Sequence, residues 1–246
     1  MSLWLKRRFA VIRIVLGTDL WMFPSTAQEM FTDRSAQFSR RLKWSVYVDA
    51  NGFERDQYDS MNPIYIWIEG DSGDHLGSMR LLPTTGPTMI NDHFLSALNG
   101  EKICNPSTWE CTRFCISPKA SPRTAFKLLA SAARLMEELN IEFLVAVFDQ
   151  KMLRKYNMSG VRPRLLGSSL TAQGLVLAGQ WSFDRGQLNK LIEKARLDPL
   201  EFDLAMANSS LSNRPGRLVP HVVAQDGALT GDLGQGDCLR YQERRL

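Results

Sequence analysis

A long amphipathic helix is predicted between residues 121 and 140, directly before a short apolar run. Ser121 and Pro122 supply a cap and a first-turn proline, and apolar residues then recur at three- and four-residue spacings. The run EFLVAVF over 142–148 is bounded by polar residues, which is typical of a central strand buried on both faces. With a strand predicted over 109–116, this segment forms a crossover between two parallel strands. The helix residues expected to face inward are Phe126, Leu129, Ala133, Met136 and Leu139.

An antiparallel part of the sheet is predicted upstream of this crossover. The segment Ile64–Glu69 is rich in β-branched and aromatic residues, and a Gly-Asp-Ser-Gly turn separates it from a second strand over 76–82. Residues 11–15 alternate as in a first strand, and a helix is predicted over 27–42. These elements predict an α+β sandwich with a mixed, mainly antiparallel central sheet, rather than a doubly wound nucleotide-binding fold.

Composition narrows the class of protein. A chain of 246 residues with 44% hydrophobic residues can bury a core and fits one compact catalytic domain. Its net charge of +4 is too small to indicate nucleic-acid binding, and the sequence has no apolar window of about 18 residues for a membrane span. The four cysteines have no metal-ligand spacing, so we expect reduced thiols, no metal site and a cytoplasmic protein.

Charged residues are concentrated between Arg34 and Arg113. Three carboxylates fall within the segment FERDQYD over 53–59, and Arg80 and Arg113 lie on neighbouring predicted strands. A buried charge without a partner is strongly destabilising, so we expect these acids and arginines to pair with each other or with a ligand. The alternative is an ordinary solvated loop with two surface arginines. The carboxylates are Glu54, Asp56 and Asp59.

The order and spacing of these residues resemble the acyl-homoserine lactone synthases, the LuxI-type autoinducer synthases. The family pattern is Arg-x3-Phe-x5-Trp, then Glu-x-Asp-x2-Asp, followed by Arg, Phe and Glu-x2-Arg. The resemblance covers residues 34–113 and continues more loosely to about residue 183. In this sequence the pattern is filled by Arg34, Phe38, Trp44, Glu54, Asp56, Asp59, Arg80, Phe94, Glu110 and Arg113.

This resemblance implies a GNAT-like (N-acetyltransferase-like) α/β/α sandwich and an acyltransferase that makes a quorum-sensing signal. The implied reaction joins S-adenosylmethionine, a substrate rather than a cofactor, to an acyl group carried on acyl carrier protein. The lactone then closes and methylthioadenosine leaves. We expect the catalytic domain over 1–184, with a substrate-covering region at about 17–60. An additional helix over 185–207 and a flexible C-terminal tail over 208–246 follow.

The implied site residues suit this substrate. Carboxylates attract its ammonium and sulfonium, an arginine can bind its carboxylate, and Trp44 or Phe38 can lie over the sulfonium or adenine. Glu110 is the candidate general base, with a structural alternative in which it pairs with an arginine. For the aromatic residues the alternative is core packing. The catalytic set is Glu110, Arg113, Asp56, Asp59 and Arg80, and the substrate-contacting set is Arg34, Phe38, Trp44, Glu54, Phe94, Thr112, Phe114 and Ala146.

The acyl donor is predicted from the start of the long helix and from nearby basic residues. Enzymes of this fold that use coenzyme A commonly have a glycine-rich turn there, whereas residues 121–125 read SPRTA. This favours an acidic carrier protein, with a solvated basic face as the alternative reading of the cations. The expected docking residues are Lys151, Arg154 and Lys155, together with Arg123, Lys127 and Arg134 on the adjacent helix.

The sequence also bears on the acyl chain and leaves two alternative functions open. By resemblance, Ala146 occupies the position where a Thr or Ser accompanies 3-oxo acyl chains, so we expect a chain without a 3-oxo group. One alternative function is an N-acyltransferase of the same fold that uses acyl-coenzyme A. The other is a non-catalytic module that binds S-adenosylmethionine.

Overall fold

The computed structural model describes residues 11–212 and contains one seven-stranded sheet in the order β1-β2-β3-β4-β5-β7-β6. The strands are β1 Val11–Leu16, β2 Ile64–Glu69, β3 His75–Pro83, β4 Thr108–Ile116, β5 Phe143–Asp149, β6 Arg164–Thr171 and β7 Gly174–Ser182. The α-helices are α1 Pro24–Arg34, α2 Met89–His93, α3 Arg123–Glu138, α4 Gln150–Ser159, α5 Arg185–Ala195 and α6 Pro199–Ala207. A π-helix, Ser35–Arg41, continues α1, and turns of 3-10 helix cover Gly17–Met22, Gln57–Ser60 and Leu95–Leu98.

The sheet has the predicted mixed character. The β4 and β5 strands are parallel and are joined by α3, while the remaining neighbours pair antiparallel. The first strand, the hairpin of β2 and β3, the crossover and the α+β class are therefore confirmed. The hairpin of β6 and β7 was not predicted. The β6 strand lies at an exposed edge, so its side chains do not show the apolar alternation of a half-buried strand.

The parallel strands β4 and β5 separate soon after they meet. Residues 108–110 pair with residues 143–145, and both strands then continue without pairing to each other. Between the Ser78↔Cys115 and Arg80↔Thr112 pairs, β4 contains one more residue than β3. This bulge includes Arg113, whose φ is 54°, in the left-handed region. The bulge and the gap both lie where the charged residues of the sequence pattern converge.

The predicted inward face of α3 is only partly right. Of the five residues expected there, Met136 is buried at 4% exposure, whereas Leu128 and Leu135 on a neighbouring face are fully buried. The helix packs against both the sheet and α5, so its apolar surface is wider than one stripe. The expected cap is also wrong, because the N-cap position is Pro122 and no side chain caps the first turn.

The helix boundaries near both ends differ from the sequence expectation. The first helix begins earlier, at Pro24, and its last turns are π-helical rather than α-helical. The segment 185–207 contains two helices, because Arg196 is left-handed and Asp198 starts α6 with a capping box. Leu211 is buried in the main core, so packed structure extends past 207, and the rest of the predicted tail, 213–246, lies outside the described residues.

No helix within 11–212 combines the length and apolar character that a bilayer span requires.

Candidate active site

The charged residues of the sequence pattern form a closed ring of ion pairs. Its first arginine, Arg34, lies at the end of α1 and is fully buried. Its Nε donates to Glu54 Oε2 at 2.6 Å, and its two Nη atoms each donate to Asp59 at 2.9 Å. Tyr65 on β2 also donates its hydroxyl to Asp59 Oδ1, at 2.6 Å. Arg34 therefore joins the N-terminal helix to the acidic segment.

The second arginine of the ring, Arg80, comes from β3. Its Nη1 donates to Asp56 Oδ1 at 2.5 Å and to Asp59 Oδ1 at 2.7 Å, while its Nε donates to Thr112 Oγ1 on β4 at 3.0 Å. Burial alone would raise the pKa of both aspartates. The positive charges of nearby arginines outweigh this effect of burial and hold both pKa values below their usual range. Arg80 has the larger part at Asp56, whereas Arg34 and then Arg80 act at Asp59.

The third arginine, Arg113, closes the ring from the bulge in β4. Its Nη2 lies 2.7 Å from Glu54 Oε1 and 2.7 Å from Asp56 Oδ2. The guanidinium lies over the Phe38 ring at 5.4 Å, and Phe38 stacks on Trp44 with ring centroids 5.5 Å apart. The bulge thus turns Arg113 towards the acids and places the aromatic pair beside them.

The acidic segment is held in shape by its own backbone. Asp56 accepts the backbone N–H of Tyr58 at 3.0 Å, and Asp59 accepts the backbone N–H of Asp56 at 2.9 Å, which is a capping box around a short 3-10 helix. The Tyr58 hydroxyl donates to Asp92 on α2 at 2.8 Å. The spacing Glu-x-Asp-x2-Asp therefore directs three carboxylates towards the same arginines.

Glu110 on β4 is fully buried and binds backbone rather than an ion-pair partner of the ring. Its two carboxylate oxygens accept the N–H groups of Met89 at 2.9 Å and Ile90 at 2.7 Å, at the start of α2. Burial raises the pKa of Glu110 to about 7, although these two amides and the charges of Arg80 and Arg113 favour the ionised form. The structural alternative for Glu110 named an arginine as its partner. The structure corrects this partner, because the carboxylate binds backbone amides of α2 instead.

A first cavity of about 420 Å³ lies in the gap where β4 and β5 separate. It is mainly apolar and continues between α3 and α5, where Leu129 and Leu188 contribute to the wall. The predicted residues Thr112, Phe114 and Ala146 also line it. The gap between the two strands is therefore mainly apolar and large enough to receive an apolar group.

A second cavity, of about 700 Å³, lies beside the ion-pair ring. Glu54 and Asp56 line it, as do Tyr58, Phe94 and His93. Its walls therefore combine carboxylates with aromatic rings. Phe94 is half-buried and also packs against a core cluster, so the core packing that the sequence offered as its alternative role is present.

The two cavities share part of their walls. Trp44, Met89, Arg113 and Val147 line both of them. The predicted residues Arg34, Asp59, Arg80 and Glu110 belong to the lining of neither cavity and lie behind the walls. Met89 and Val147 had no sequence signal, because a single apolar residue in a helix or strand has the same pattern as a core residue.

The predicted docking residues fall into two groups. Lys151, Arg154 and Lys155 are exposed on α4, and the two lysines line the first cavity. On α3, Arg123 is exposed, but Lys127 donates to Glu201 on α6 at 2.8 Å.

The third α3 residue, Arg134, pairs with Glu137 on its own helix and with Asp203 on α6 at 3.1 Å. The expectation that Lys127 and Arg134 form a docking face is therefore corrected, because these two side chains bind α6 to α3.

The prediction of four reduced cysteines is corrected in part. Cys111 and Cys115 are free thiols, as expected, whereas Cys104 is disulfide-bonded and Cys238 lies outside the described residues. Burial raises the pKa of both free thiols to about 12. Within 11–212, no group of three or more His, Cys, Asp and Glu side chains has the arrangement of a metal site.

Comparison with known proteins gives concordant matches. A family model described as autoinducer synthase matches residues 21–191. An acyl-homoserine-lactone synthase of Rhizobium etli is 38% identical over 195 residues, covering 74% of this chain and 90% of the relative. One from Agrobacterium fabrum (strain C58) is 30% identical over 200 residues, covering 76% and 93%.

Two solved structures have the same architecture. TofI, in a ternary complex with an inhibitor and MTA, is 26% identical with a TM-score of 0.59, and the match covers 71% of this chain and 91% of TofI. BjaI, a CoA-dependent acyl-homoserine lactone synthase with SAM and isopentyl-CoA, is 18% identical with a TM-score of 0.71, covering 81% and 100%. The latter likeness concerns the fold, which is the expected GNAT-like sandwich.

Proposed function

The chain belongs to the autoinducer synthase family and is an acyltransferase, and on this premise we propose that it acylates the α-amine of S-adenosylmethionine. The acyl group comes from acyl carrier protein in the cytoplasm. The acylated intermediate then closes its lactone ring and releases methylthioadenosine. The TofI structure, solved with MTA, supports the last step by analogy.

The observation that carries this proposal is the meeting of two cavities of different chemistry. The apolar gap between β4 and β5 suits an acyl chain and the arm that bears it. The second cavity, with Glu54, Asp56 and Trp44 in its wall, suits a ligand that carries an ammonium, a sulfonium and an aromatic base. Two substrates bound in this way would have their reacting groups near the shared wall.

The carboxylates that line the second cavity are paired with arginines, and this pairing determines the role that we assign to each group. Glu54 and Asp56 each have a carboxylate oxygen 2.7 Å from Arg113 Nη2 in the ring. We assign the carboxylates to the substrate cations and Arg113 to the alignment of the acids and of the substrate carboxylate. Arg34, Asp59 and Arg80 act from behind the wall by holding these groups in place.

Acyl transfer requires a neutral amine and donors for the oxyanion. A free α-amine has a pKa of about 8, so a base with a pKa of about 7, as Glu110 has, is well matched. Since both Glu110 oxygens already accept helix amides, we propose that the proton reaches it through a water. Backbone N–H groups of β4 beyond Glu110, where β5 no longer pairs, would stabilise the oxyanion.

Two local features support an acyl carrier protein as the donor of the acyl group. The start of α3 has Pro122 and no glycine, so it offers few backbone donors to a pyrophosphate. Lys151, Arg154 and Lys155 are exposed at α4, near the first cavity, and would attract an acidic carrier. Acyl-coenzyme A remains the second candidate, and kinetics with both thioesters of one acyl chain separate the two.

The acyl chain is proposed to have no 3-oxo group. Ala146 lines the apolar cavity and has no hydroxyl to donate to an oxo oxygen. Mass spectrometry of the product tests this, and mainly 3-oxo lactones would contradict it.

Expression in a bacterium that makes no such lactones tests the function as a whole. We expect an acyl-homoserine lactone in the medium. Soluble protein that binds S-adenosylmethionine but yields no lactone, with either carrier-bound or coenzyme A-bound acyl groups, would favour the non-catalytic binding module.

A further inference from the structure

Met89 occupies a position that no motif explains. It is the only residue of α2 that lines the apolar cavity, and it lines the second cavity as well. The other residues common to both cavities come from β4, β5 and the segment after the π-helix. We propose that Met89 is a positioning residue, which forms the partition between the two substrates and excludes water from the thioester. This inference rests on the proposed function.

The main chain and the side chain of Met89 are both fixed to β4. Its backbone N–H donates to Glu110 Oε2 at 2.9 Å. Its sulfur accepts from Arg113 Nη1 at 3.4 Å, while Arg113 is itself held by Glu54 and Asp56. A thioether is a weak acceptor and an adaptable apolar group, so it can bridge a charged wall and an apolar wall. Met89 therefore connects the base candidate, the ion-pair ring and both cavities.

The chemistry makes this position consequential. In acyl transfer the acyl carbon forms a bond to the amine nitrogen, the carbon–sulfur bond breaks, and the thiol leaves with the proton given up by the amine. If water enters at the same place, the same bond breaks and a free carboxylic acid forms instead. Productive attack needs the reacting atoms about 3–3.5 Å apart, so a partition that shapes this contact controls which nucleophile reacts.

The test measures thiol release and acylated product in parallel, with one carrier-bound thioester and S-adenosylmethionine. In the native enzyme we expect the two amounts to match. Met89→Ala should raise the ratio of thiol to acylated product about tenfold, because the opened partition admits water. Met89→Leu retains the volume and should keep the ratio within about twofold.

A matched control is Met152→Ala, the same truncation at a residue that lines the apolar cavity alone. It should raise the Michaelis constant of the acyl donor without changing the ratio. An unchanged ratio in Met89→Ala, or an equal rise in Met89→Leu, would overturn the partition role. Thermal unfolding verifies folding, and Met89→Val replaces the alanine variant if that one does not fold. A native enzyme that forms no acylated product would instead refute the proposed function.

Discussion

Replacing Arg34 by Met should destabilise the protein far more than a surface charge change. The side chain is fully buried and connects Glu54 and Asp59 within the ring. Methionine fills similar space without charge, so the ring would change from three arginines and three carboxylates to two arginines and three carboxylates. One buried negative charge is then left without compensation.

The expected loss can be estimated from the contacts. Breaking a buried ion pair from one side costs about 3–5 kcal/mol, a large part of the roughly 5–15 kcal/mol that stabilises a typical domain. Glu54 keeps Arg113, and Asp59 keeps Arg80 and Tyr65, so we expect about 3 kcal/mol rather than the upper limit.

The loss of stability in Arg34→Met should depend on pH. The native ring holds the pKa of Asp59 below its ordinary 3.8, so its stabilising contribution is present above that pH and lost as pH falls through the folded pKa. Without Arg34 the pKa of Asp59 should rise and this contribution should shrink. The gap in unfolding free energy between native protein and variant is therefore widest near neutral pH and narrows below about pH 4.

Urea unfolding at pH 7.5 and at about pH 3 measures both effects, and Asp59→Asn completes a double-mutant cycle. Because the double variant restores charge balance, it should be at least about 1 kcal/mol more stable than Arg34→Met alone. A loss below about 1 kcal/mol in the single variant, or strict additivity in the cycle, would refute the idea of a coupled ring.

Further predictions concern catalysis and recognition. If Glu110 is the base, native activity falls as pH drops below about 7. Glu110→Gln should then abolish acyl transfer while binding of S-adenosylmethionine stays measurable. Unchanged turnover in this variant would exclude Glu110 as the base. Arg154→Glu with Lys155→Glu should raise the Michaelis constant for carrier-bound acyl groups about tenfold at low salt, but not that for S-adenosylmethionine, and equal effects on both would contradict docking at α4. Ala146→Ser adds a hydroxyl in the apolar cavity and should shift the relative turnover of 3-oxo and unsubstituted donors about two- to tenfold towards 3-oxo, which competition between the two donors measures.

The charged site was predictable because its residues leave a pattern along the chain. Acids and arginines that cannot be buried alone must be found together, so the spacing of Glu54, Asp56 and Asp59 already indicated partners. Their pairing with Arg80 and Arg113 on neighbouring strands follows from the predicted hairpin and crossover. What the spacing did not reveal is which of these groups face a cavity and which stand behind its wall.

Other features depend on contacts between distant segments. Lys127 has the sequence pattern of an exposed cation on α3, but α6 brings Glu201 to it. The inward face of α3 was only partly predicted, because this helix packs against α5 as well as against the sheet. Met89 joins the site through Glu110, which lies 21 residues away along the chain. No local periodicity reports such pairings.

The closed ring of ion pairs also limits how this enzyme can change over generations. Each carboxylate of the ring serves two arginines and each arginine two carboxylates, so no member can be exchanged for a neutral residue without leaving two neighbours short of a partner. Viable variants at the ring would need two simultaneous substitutions, which are rare in a mutating population. Single changes in the apolar cavity, for example at Ala146 or Leu188, meet no such barrier. New signals should therefore arise by changes of the acyl group, with the S-adenosylmethionine substrate left the same.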